Sequence, residues 1–404
     1  MKNILSSVFG NFMEWYDFSI YMCLYPLISQ SLIPNYSVRS SSIIMFLIFF
    51  VGFLARPIGG FLFGYISDIY SQKKSLLISI SLMLISTSLV SCIPSYKLIG
   101  NYSIYILLIL RIIQGLSISG ELTNSAIFIS NDSEYMNQKK SSSLIMASIY
   151  IGLMFGFIST LITMNLIDMN SNLSWRIPFL FSLPIGIYAL KIRYYLPDTY
   201  KHRIYKKKYI KDVFSNVNDI IMVSFLFSCL AISIYILIGY IPQSMMFNLK
   251  LSINYSILIN IISMAILSIC VVYLGFTKIK SIKLLVAGFV CMTILFIPLS
   301  MILNTNIYLS LLAIICILFY LPLIASSIMD FSLNIFPLSI KCTALSTGYN
   351  ISMSIFGGSA PLIITLLKDN EYFIMMYFVM IAIISILAYV FFKKRSFSCH
   401  FQIY

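Results

Sequence analysis

Gly10-Asn11-Phe12-Met13-Glu14-Trp15-Tyr16-Asp17-Phe18 opens an apolar run that continues through Ser19-Ile20-Tyr21-Met22-Cys23-Leu24-Tyr25 to about Ile33. The run has the ~20 residues that a helix needs to cross a bilayer, and it holds two carboxylates. An ionised Asp or Glu at mid-membrane costs roughly 2.5–3.5 kcal/mol on insertion scales. A chain keeps such a group where it faces a polar cavity, exchanges a proton or pairs with a cation. At ~100° per residue, Asn11, Glu14, Phe18, Tyr21 and Tyr25 form one stripe about 80° wide, with Asp17 at its edge. The alternative is that both acids lie near the headgroups and only fix the depth of the helix.

The rest of the chain has the same character. Of 404 residues, 60% are hydrophobic and only 10% charged, against about a quarter charged in soluble domains, and the mean hydropathy is +0.95. The apolar runs are long and unbroken, unlike the short alternating segments of an outer-membrane barrel. The composition predicts an all-α polytopic membrane protein. Twelve spans are expected, at about 8–33, 42–67, 75–94, 102–130, 142–166, 176–196, 219–246, 254–275, 283–303, 306–333, 341–367 and 371–392.

The net charge of +14 invites a nucleic-acid reading, which the positions of the charges exclude. With a cytoplasmic N-terminus, twenty of the 27 Lys and Arg residues fall at the two ends and in the even loops. Lys73, Lys74, Lys191, Arg193 and the Lys206-Lys207-Lys208 run are among them. Only Arg39, Lys97, Lys250 and Lys368 fall in odd loops, and Arg56, Arg111 and Arg176 lie in or at the edges of helices. The positive-inside rule therefore predicts both termini in the cytoplasm. The first apolar run is full length and carries acids, so no cleavable signal peptide is expected. The eight cysteines are scattered without paired spacing and read as small apolar residues. His202 and His400 lie outside the spans, which argues against a histidine metal site or proton relay inside the membrane. No cofactor and no metal are expected.

The one long polar stretch, 197–218, divides the chain into a six-helix half (1–196) and a second six-helix half (219–392), followed by a short tail (393–404). Two such halves with a substrate site between them are a transporter plan. The lysines of the linker suit anionic headgroups at roughly 1 kcal/mol each or a solvated connector. The tail shows no heptads and so no coiled coil.

Span two ends in Arg56-Pro57-Ile58-Gly59-Gly60-Phe61-Leu62-Phe63-Gly64-Tyr65-Ile66-Ser67-Asp68-Ile69-Tyr70-Ser71-Gln72-Lys73-Lys74. This resembles the loop signature of the major facilitator superfamily, with Gly64, Asp68, Lys73 and Lys74 in the matching places. Ile69 and Ser71 depart from it. Glycines allow close helix contact, and Asp68 suits the positive N-terminus of a neighbouring helix, where it would hold one end of a transporter shut. Span four carries Arg111-Ile112-Ile113-Gln114-Gly115-Leu116-Ser117-Ile118-Ser119-Gly120-Glu121. It resembles the superfamily's Arg-x-x-Gln-Gly motif, which implies proton coupling. On one continuous helix Arg111, Gln114, Ile118 and Glu121 would share a face about 80° wide. A buried Arg needs an acid, and Glu14, Asp17 and Glu121 are all candidates.

The span-one motif together with Arg56-Pro57, Gln114-Gly115 through Glu121, Ser174-Trp175-Arg176-Ile177-Pro178-Phe179, Leu196-Pro197-Asp198-Thr199, Phe336-Pro337, Tyr349-Asn350-Ile351 and Phe356-Gly357-Gly358-Ser359-Ala360-Pro361 resembles the metabolite:proton symporter family. That family includes proline/betaine, α-ketoglutarate, citrate and shikimate transporters. The resemblance implies a secondary transporter of a bacterial inner membrane, acting as a monomer on protons and a small solute, with no catalytic residue. Asn334 stands where the family carries an acid, with Asp330 one turn earlier as a substitute, and the second-half loop copy is reduced to Gly275-Phe276-Thr277-Lys278-Ile279-Lys280. Gly152-x-x-x-Gly156 lacks the further pattern of drug antiporters. The Gly357-Gly358 and Pro361 cluster predicts a bent or closely packed helix.

The expected proton-coupling set is Glu14, Asp17, Arg111 and Glu121, with Glu14 first, Glu121 its rival and Asp17 third. The substrate-cavity candidates are Asn11, Phe18, Tyr21, Tyr25, Gln114, Tyr240 and Asn350, and the gating loop is Gly64, Asp68, Lys73 and Lys74. The favoured solute is a zwitterion such as proline or glycine betaine, since a cation–π contact contributes roughly 0.5–2 kcal/mol. A dicarboxylate or another organic acid is the alternative, and a degenerate transporter serving as receptor or scaffold is a third reading. An embedded enzyme finds no metal set, nucleophile dyad or cofactor motif.

Overall fold

The computed structural model describes residues 2–131, 137–167, 173–196, 206–241, 250–302 and 307–367, with single positions at 245, 376, 380, 383 and 390. Among the described residues every regular element is helical. The chain begins with α1 (Lys2–Leu32), followed by α2 (Val38–Leu54), α3 (Arg56–Ile69), α4 (Gln72–Ser91), the short α5 (Tyr96–Ile99), α6 (Tyr102–Ile118), α7 (Glu121–Asn131) and α8 (Gln138–Leu166). Next come α9 (Arg176–Leu180), α10 (Ser182–Tyr194), α11 (Lys206–Ser215) and α12 (Val217–Tyr235), which runs into a π-helical turn, Ile236–Tyr240. Further helices cover Ile253–Phe276, Ser281–Ile302, Ile307–Ser332, Lys341–Ser352 and Ala360–Leu366, the last two joined by a π-helical turn, Met353–Gly358.

Eleven of the twelve expected windows carry described helix. The twelfth, 371–392, is described only at the four single positions 376, 380, 383 and 390, and the tail and linker residues 197–205 lie outside the described residues. By length and composition, eight described segments suffice to cross a membrane. Helix α1 is not one of these, because Asn11, Glu14, Asp17 and its tyrosines lower its hydropathy. At 31 residues and 1.5 Å per residue it is nonetheless about 46 Å long, more than the ~30 Å hydrocarbon layer. The linker is also more ordered than a plain polar connector, since Lys206–Ser215 is helical.

Several windows are interrupted where the sequence reading had one continuous helix. Span two breaks at Ala55, and Pro57 then sits in the first turn of α3, where its missing N–H costs nothing. Span four breaks at Ser119-Gly120, so Glu121 opens a new helix. Span six breaks at Phe181. Serine caps explain two of the clean starts. Ser37 Oγ accepts from the Ser40 N–H at 3.2 Å and Ser71 Oγ from the Lys74 N–H at 3.3 Å. In span eleven, Gly357 lies against the Tyr235 ring, where a Cβ would come within 2.7 Å of Cε2, and Gly358 lies against Phe53. The seam between α2 and α6 is closed by Gly52 and Gly115. A Cβ on Gly115 would run into the Gly52 carbonyl, and one on Gly52 would lie 2.8 Å from the Arg111 carbonyl. That backbone approach sets where Arg111 emerges.

Candidate functional site: three buried ion pairs below an uncharged vestibule

The three acids singled out in the sequence are buried, and each meets a different arginine. Glu14 and Asp17, one turn apart on α1, face different neighbours. Glu14 Oε1 lies 3.1 Å from Arg56 Nη2, with both side chains fully buried. Asp17 Oδ2 lies 2.7 Å from Arg111 Nη1. Glu121 binds Arg193 through both oxygens, one of them 2.7 Å from Nη1. A buried pair of this kind is costly to break, because the surviving partner keeps its charge without compensation.

Several sequence expectations are corrected here. Arg111, whose partner was open, takes Asp17, the acid ranked third. The contact uses a single guanidinium nitrogen, because Gln114 Nε2 donates to the other Asp17 oxygen at 3.1 Å and to Thr87 Oγ1 at 2.9 Å. The Arg111 guanidinium instead lies over Tyr21, its Cζ 3.9 Å from the ring centre. Glu121 does not share a face with Arg111, since the break at Ser119-Gly120 turns it toward α10. Arg193 was counted with the loop cations, yet it is fully buried. Its Nη1 donates to the Leu76 carbonyl at 3.0 Å as well as to Glu121. Arg56 received no role in the sequence reading. One signal was available: three acids in the first six spans require three buried cations. The third is Arg193 and not Arg176, which donates to the Ser91 carbonyl at 2.7 Å and lies over Trp175.

The three pairs differ in how completely they are bonded. Asp17 has a partner on each oxygen, and Glu121 also accepts from Ser125 and Ser79 at 3.2 and 3.4 Å. Glu14 Oε2 is buried and makes no hydrogen bond within the protein, which sets this acid apart from the other two; on the arginine side Arg56 Nη1, Arg111 Nε and Nη2, and Arg193 Nε are likewise without a partner. Arg56 Nε donates to Asn350 Oδ1 at 3.0 Å, and Asn350 Nδ2 donates to the Ser119 carbonyl at 2.7 Å. The guanidinium is walled by Phe53, Tyr349 and Phe18, with ring centres 5.1, 5.7 and 5.8 Å from Cζ.

The remaining candidates fall in different places. Asn11 is in the seam with α8, donating to Ser148 Oγ at 2.7 Å and the Ile145 carbonyl at 3.0 Å. Phe18 packs on Phe49 and Phe53, Tyr21 stacks on Phe49, and the Tyr21 hydroxyl donates to the Met45 carbonyl at 2.8 Å. Of the stripe, only Tyr25 lines the cavity, with Phe46 4.7 Å from it. The side chain of Tyr240 lies outside the described residues, although its backbone closes the π-helical turn.

The cavity is a vestibule of about 550 Å³ at the end opposite the N-terminus. Tyr25, Gln30, Tyr36, Ser41, Ser256 and Pro361 lie on its walls, and among the described residues none of those lining it is charged. Between it and the Glu14–Arg56 pair stand Phe18, Phe49, Phe53 and Tyr235, in mutual ring contact.

The opposite end is shut by hydrogen bonds between segments on either side of the linker. Asp68 accepts from the backbone N–H groups of Cys342 and Thr343 at 3.0 and 2.9 Å, at the start of the Lys341–Ser352 helix. A carboxylate suits that helix end. The Tyr209 hydroxyl of α11 donates to Asp68 at 2.8 Å and also contacts Thr343 Oγ1. Burial, with Asp68 beside it, pushes that phenol well above its ordinary range, so it stays a donor. Gly64 lies against the Thr343 backbone. Lys73 and Lys74 open α4, Lys73 reaching Tyr194 at 5.8 Å. A second closure runs from α8. Lys139 Nζ donates to the carbonyls of Thr277 and Ile279 at 3.0 and 2.8 Å, and Gln138 Nε2 donates to Asp330 Oδ1 at 3.0 Å. In the second-half loop copy, backbone carbonyls thus stand where the first copy uses an acid. Among the described residues no cluster of His, Cys, Asp and Glu has the arrangement of a metal site.

The family profile described as "Sugar (and other) transporter" matches residues 3–211. The chain is 29% identical, over 98% of its length and 83% of the relative, to the "Glycine betaine/proline/ectoine/pipecolic acid transporter OusA" of Dickeya dadantii. It is 28% identical to the "Proline/betaine transporter" of Escherichia coli, over 98% of this chain and 84% of that one. The fold matches the proton:xylose symporter XylE bound to 6-bromo-6-deoxy-D-glucose, with a TM-score of 0.80 at 16% identity, covering 97% of this chain and 95% of the other. The chain therefore belongs to the sugar (and other) transporter family, as an all-α, multi-pass membrane transporter of the major facilitator superfamily and not an enzyme.

Proposed function

We propose that this transporter catalyses proton-coupled symport of a small zwitterion, of the proline or glycine betaine type, across a bacterial inner membrane. The two six-helix halves, 1–196 and 219–392, move about a central site. The observation that carries the reading is the incompletely bonded Glu14–Arg56 pair, buried between the vestibule and the closed end. Glu14 is the proton carrier in this reading. Protonating it sacrifices one ion-pair contact, whereas protonating Asp17 or Glu121 disturbs an acid bonded at both oxygens. A vestibule with no charge among its described lining residues suits a solute of zero net charge. A dicarboxylate would need a second free cation beside the one that protonation of Glu14 releases, and Arg111 is paired with Asp17. The similarity to transporters of proline and glycine betaine favours the same solute class.

The test is uptake into proteoliposomes of labelled glycine betaine, proline and α-ketoglutarate, with and without an inward proton gradient. Accumulation of a zwitterion only with the gradient supports the reading. Accumulation of the dicarboxylate alone, or of nothing, overturns it. Glu14→Gln should lose accumulation while exchange of labelled for unlabelled solute persists, and normal accumulation in that variant would remove Glu14 from the proton path. For orientation, cysteines placed at the exposed positions Arg39 and Lys250 should react with an impermeant maleimide from outside, and one at Lys207 should not. The reverse pattern would invert the assigned topology.

A further inference from the structure

We propose that Arg56 is the receptor for the substrate's carboxylate and that Glu14 occupies this receptor until a proton arrives. The assignment rests on the zwitterion-symport reading above. A guanidinium offers five N–H donors and binds a carboxylate best through two parallel contacts. Arg56 gives one contact to Glu14 and one to Asn350, and Nη1 is left without a hydrogen-bond partner in the protein. Glu14 in turn uses one oxygen. The pair is therefore half-engaged on both sides, buried among Phe18, Phe53 and Tyr349, with Tyr235 packed on Phe53.

A proton on Glu14 Oε2 removes the negative partner of Arg56 and leaves the guanidinium to a carboxylate from outside. The onium group of the same solute then lies against the aromatic faces that now hold the guanidinium. Charge balances at each stage. The resting pair is neutral, the proton adds one positive charge, and the zwitterion adds none. The extra positive charge rests on the rings. The other charged groups of the neighbouring helices are Asp17 with Arg111 and Glu121 with Arg193; Arg111 Nε and Nη2 and Arg193 Nε also have no hydrogen-bond partner in the protein, but both of these acids are bonded at each oxygen, and Glu14 alone of the three has an oxygen left over. Proton and solute thus share one residue, and the carboxylate of the solute is admitted only once the internal carboxylate is neutralised. Because Arg56 Nε also holds Asn350, which is bonded to the Ser119 carbonyl, a shift of Arg56 toward the solute loosens the closed end.

Binding of labelled glycine betaine to the purified full chain in nanodiscs tests this, with choline, an onium without a carboxylate, as the comparison. Wild type should bind glycine betaine at least about tenfold more tightly than choline, the worth of one charged hydrogen bond. At alkaline pH, Glu14→Gln should bind glycine betaine about tenfold more tightly than wild type, because the internal competitor is gone. The double variant Glu14→Gln/Arg56→Gln carries no net charge change and so retains its fold, checked by its elution and melting. It should lose that gain and discriminate poorly between glycine betaine and choline. A double variant that binds glycine betaine as tightly as Glu14→Gln overturns the Arg56 assignment while leaving zwitterion symport intact. A wild type that neither binds nor accumulates any zwitterion overturns both.

Discussion

Arg111→Ala is expected to abolish solute accumulation and to destabilise the protein by about 3–5 kcal/mol, the typical cost of leaving one member of a buried ion pair alone. Asp17 would remain fully buried, with only Gln114 donating to it. Arg111→Lys should recover part of the stability but not wild-type accumulation. A lysine restores the charge opposite Asp17, but it lacks the flat guanidinium that lies 3.9 Å from the Tyr21 ring centre. The neutralised pair Asp17→Asn/Arg111→Gln should melt closer to wild type than Arg111→Ala does, since no uncompensated charge is left. Thermal melting in detergent and uptake in proteoliposomes read both effects. Wild-type accumulation by Arg111→Ala would sink the account of this pair.

The second large effect is expected at Arg193, where sequence and structure disagree most sharply. As a loop cation next to Lys191, Arg193 should tolerate alanine within about 0.5 kcal/mol, as surface positions do. As the fully buried partner of Glu121, anchored also to the Leu76 carbonyl, it should cost about 3–5 kcal/mol when truncated. Lys191 is exposed on the same helix and supplies the internal control. Arg193→Ala should lower the melting temperature and yield of folded protein strongly, and Lys191→Ala should leave both unchanged. Equal behaviour of the two variants would mean that Arg193 is not in the interior. Adding Glu121→Gln to Arg193→Ala should restore part of the loss, because the stranded charge disappears.

These arginines show where sequence reading stopped. Asp68 was readable because its contact follows a local rule: a carboxylate four residues beyond a packing glycine suits a helix N-terminus, and it accepts from the N–H groups of Cys342 and Thr343. The close packing at Gly357-Gly358, against Tyr235 and Phe53, was readable because small residues in an apolar helix invite close neighbours. The ion pairs follow no such rule. Glu14 and Asp17 are three residues apart on one helix, yet one meets Arg56 and the other Arg111. Helical spacing gives the direction in which a side chain leaves its own helix and says nothing about which helix stands opposite. The break at Ser119-Gly120 then turned Glu121 away from the face that a continuous helix predicts, and Arg193 fell just inside a boundary that apolar windows locate only to within a few residues.

By itself the sequence determined the all-α membrane class, because hydrocarbon thickness sets the length of apolar runs and burial in lipid demands helices or closed barrels. It also determined the family, through motifs spaced along both sides of the linker. Only the tertiary structure decided which arginine neutralises which acid, that Asn11 serves a helix seam while Arg56 and Asn350 stand at the centre, and that Tyr209 and Lys139 join Asp68 in closing one end. Those outcomes depend on the angles and separations at which helices cross, which are set by backbone contacts such as Gly52 on Gly115. In a medium that solvates no charge, a displacement of a few ångströms decides whether a buried carboxylate has a partner or has none.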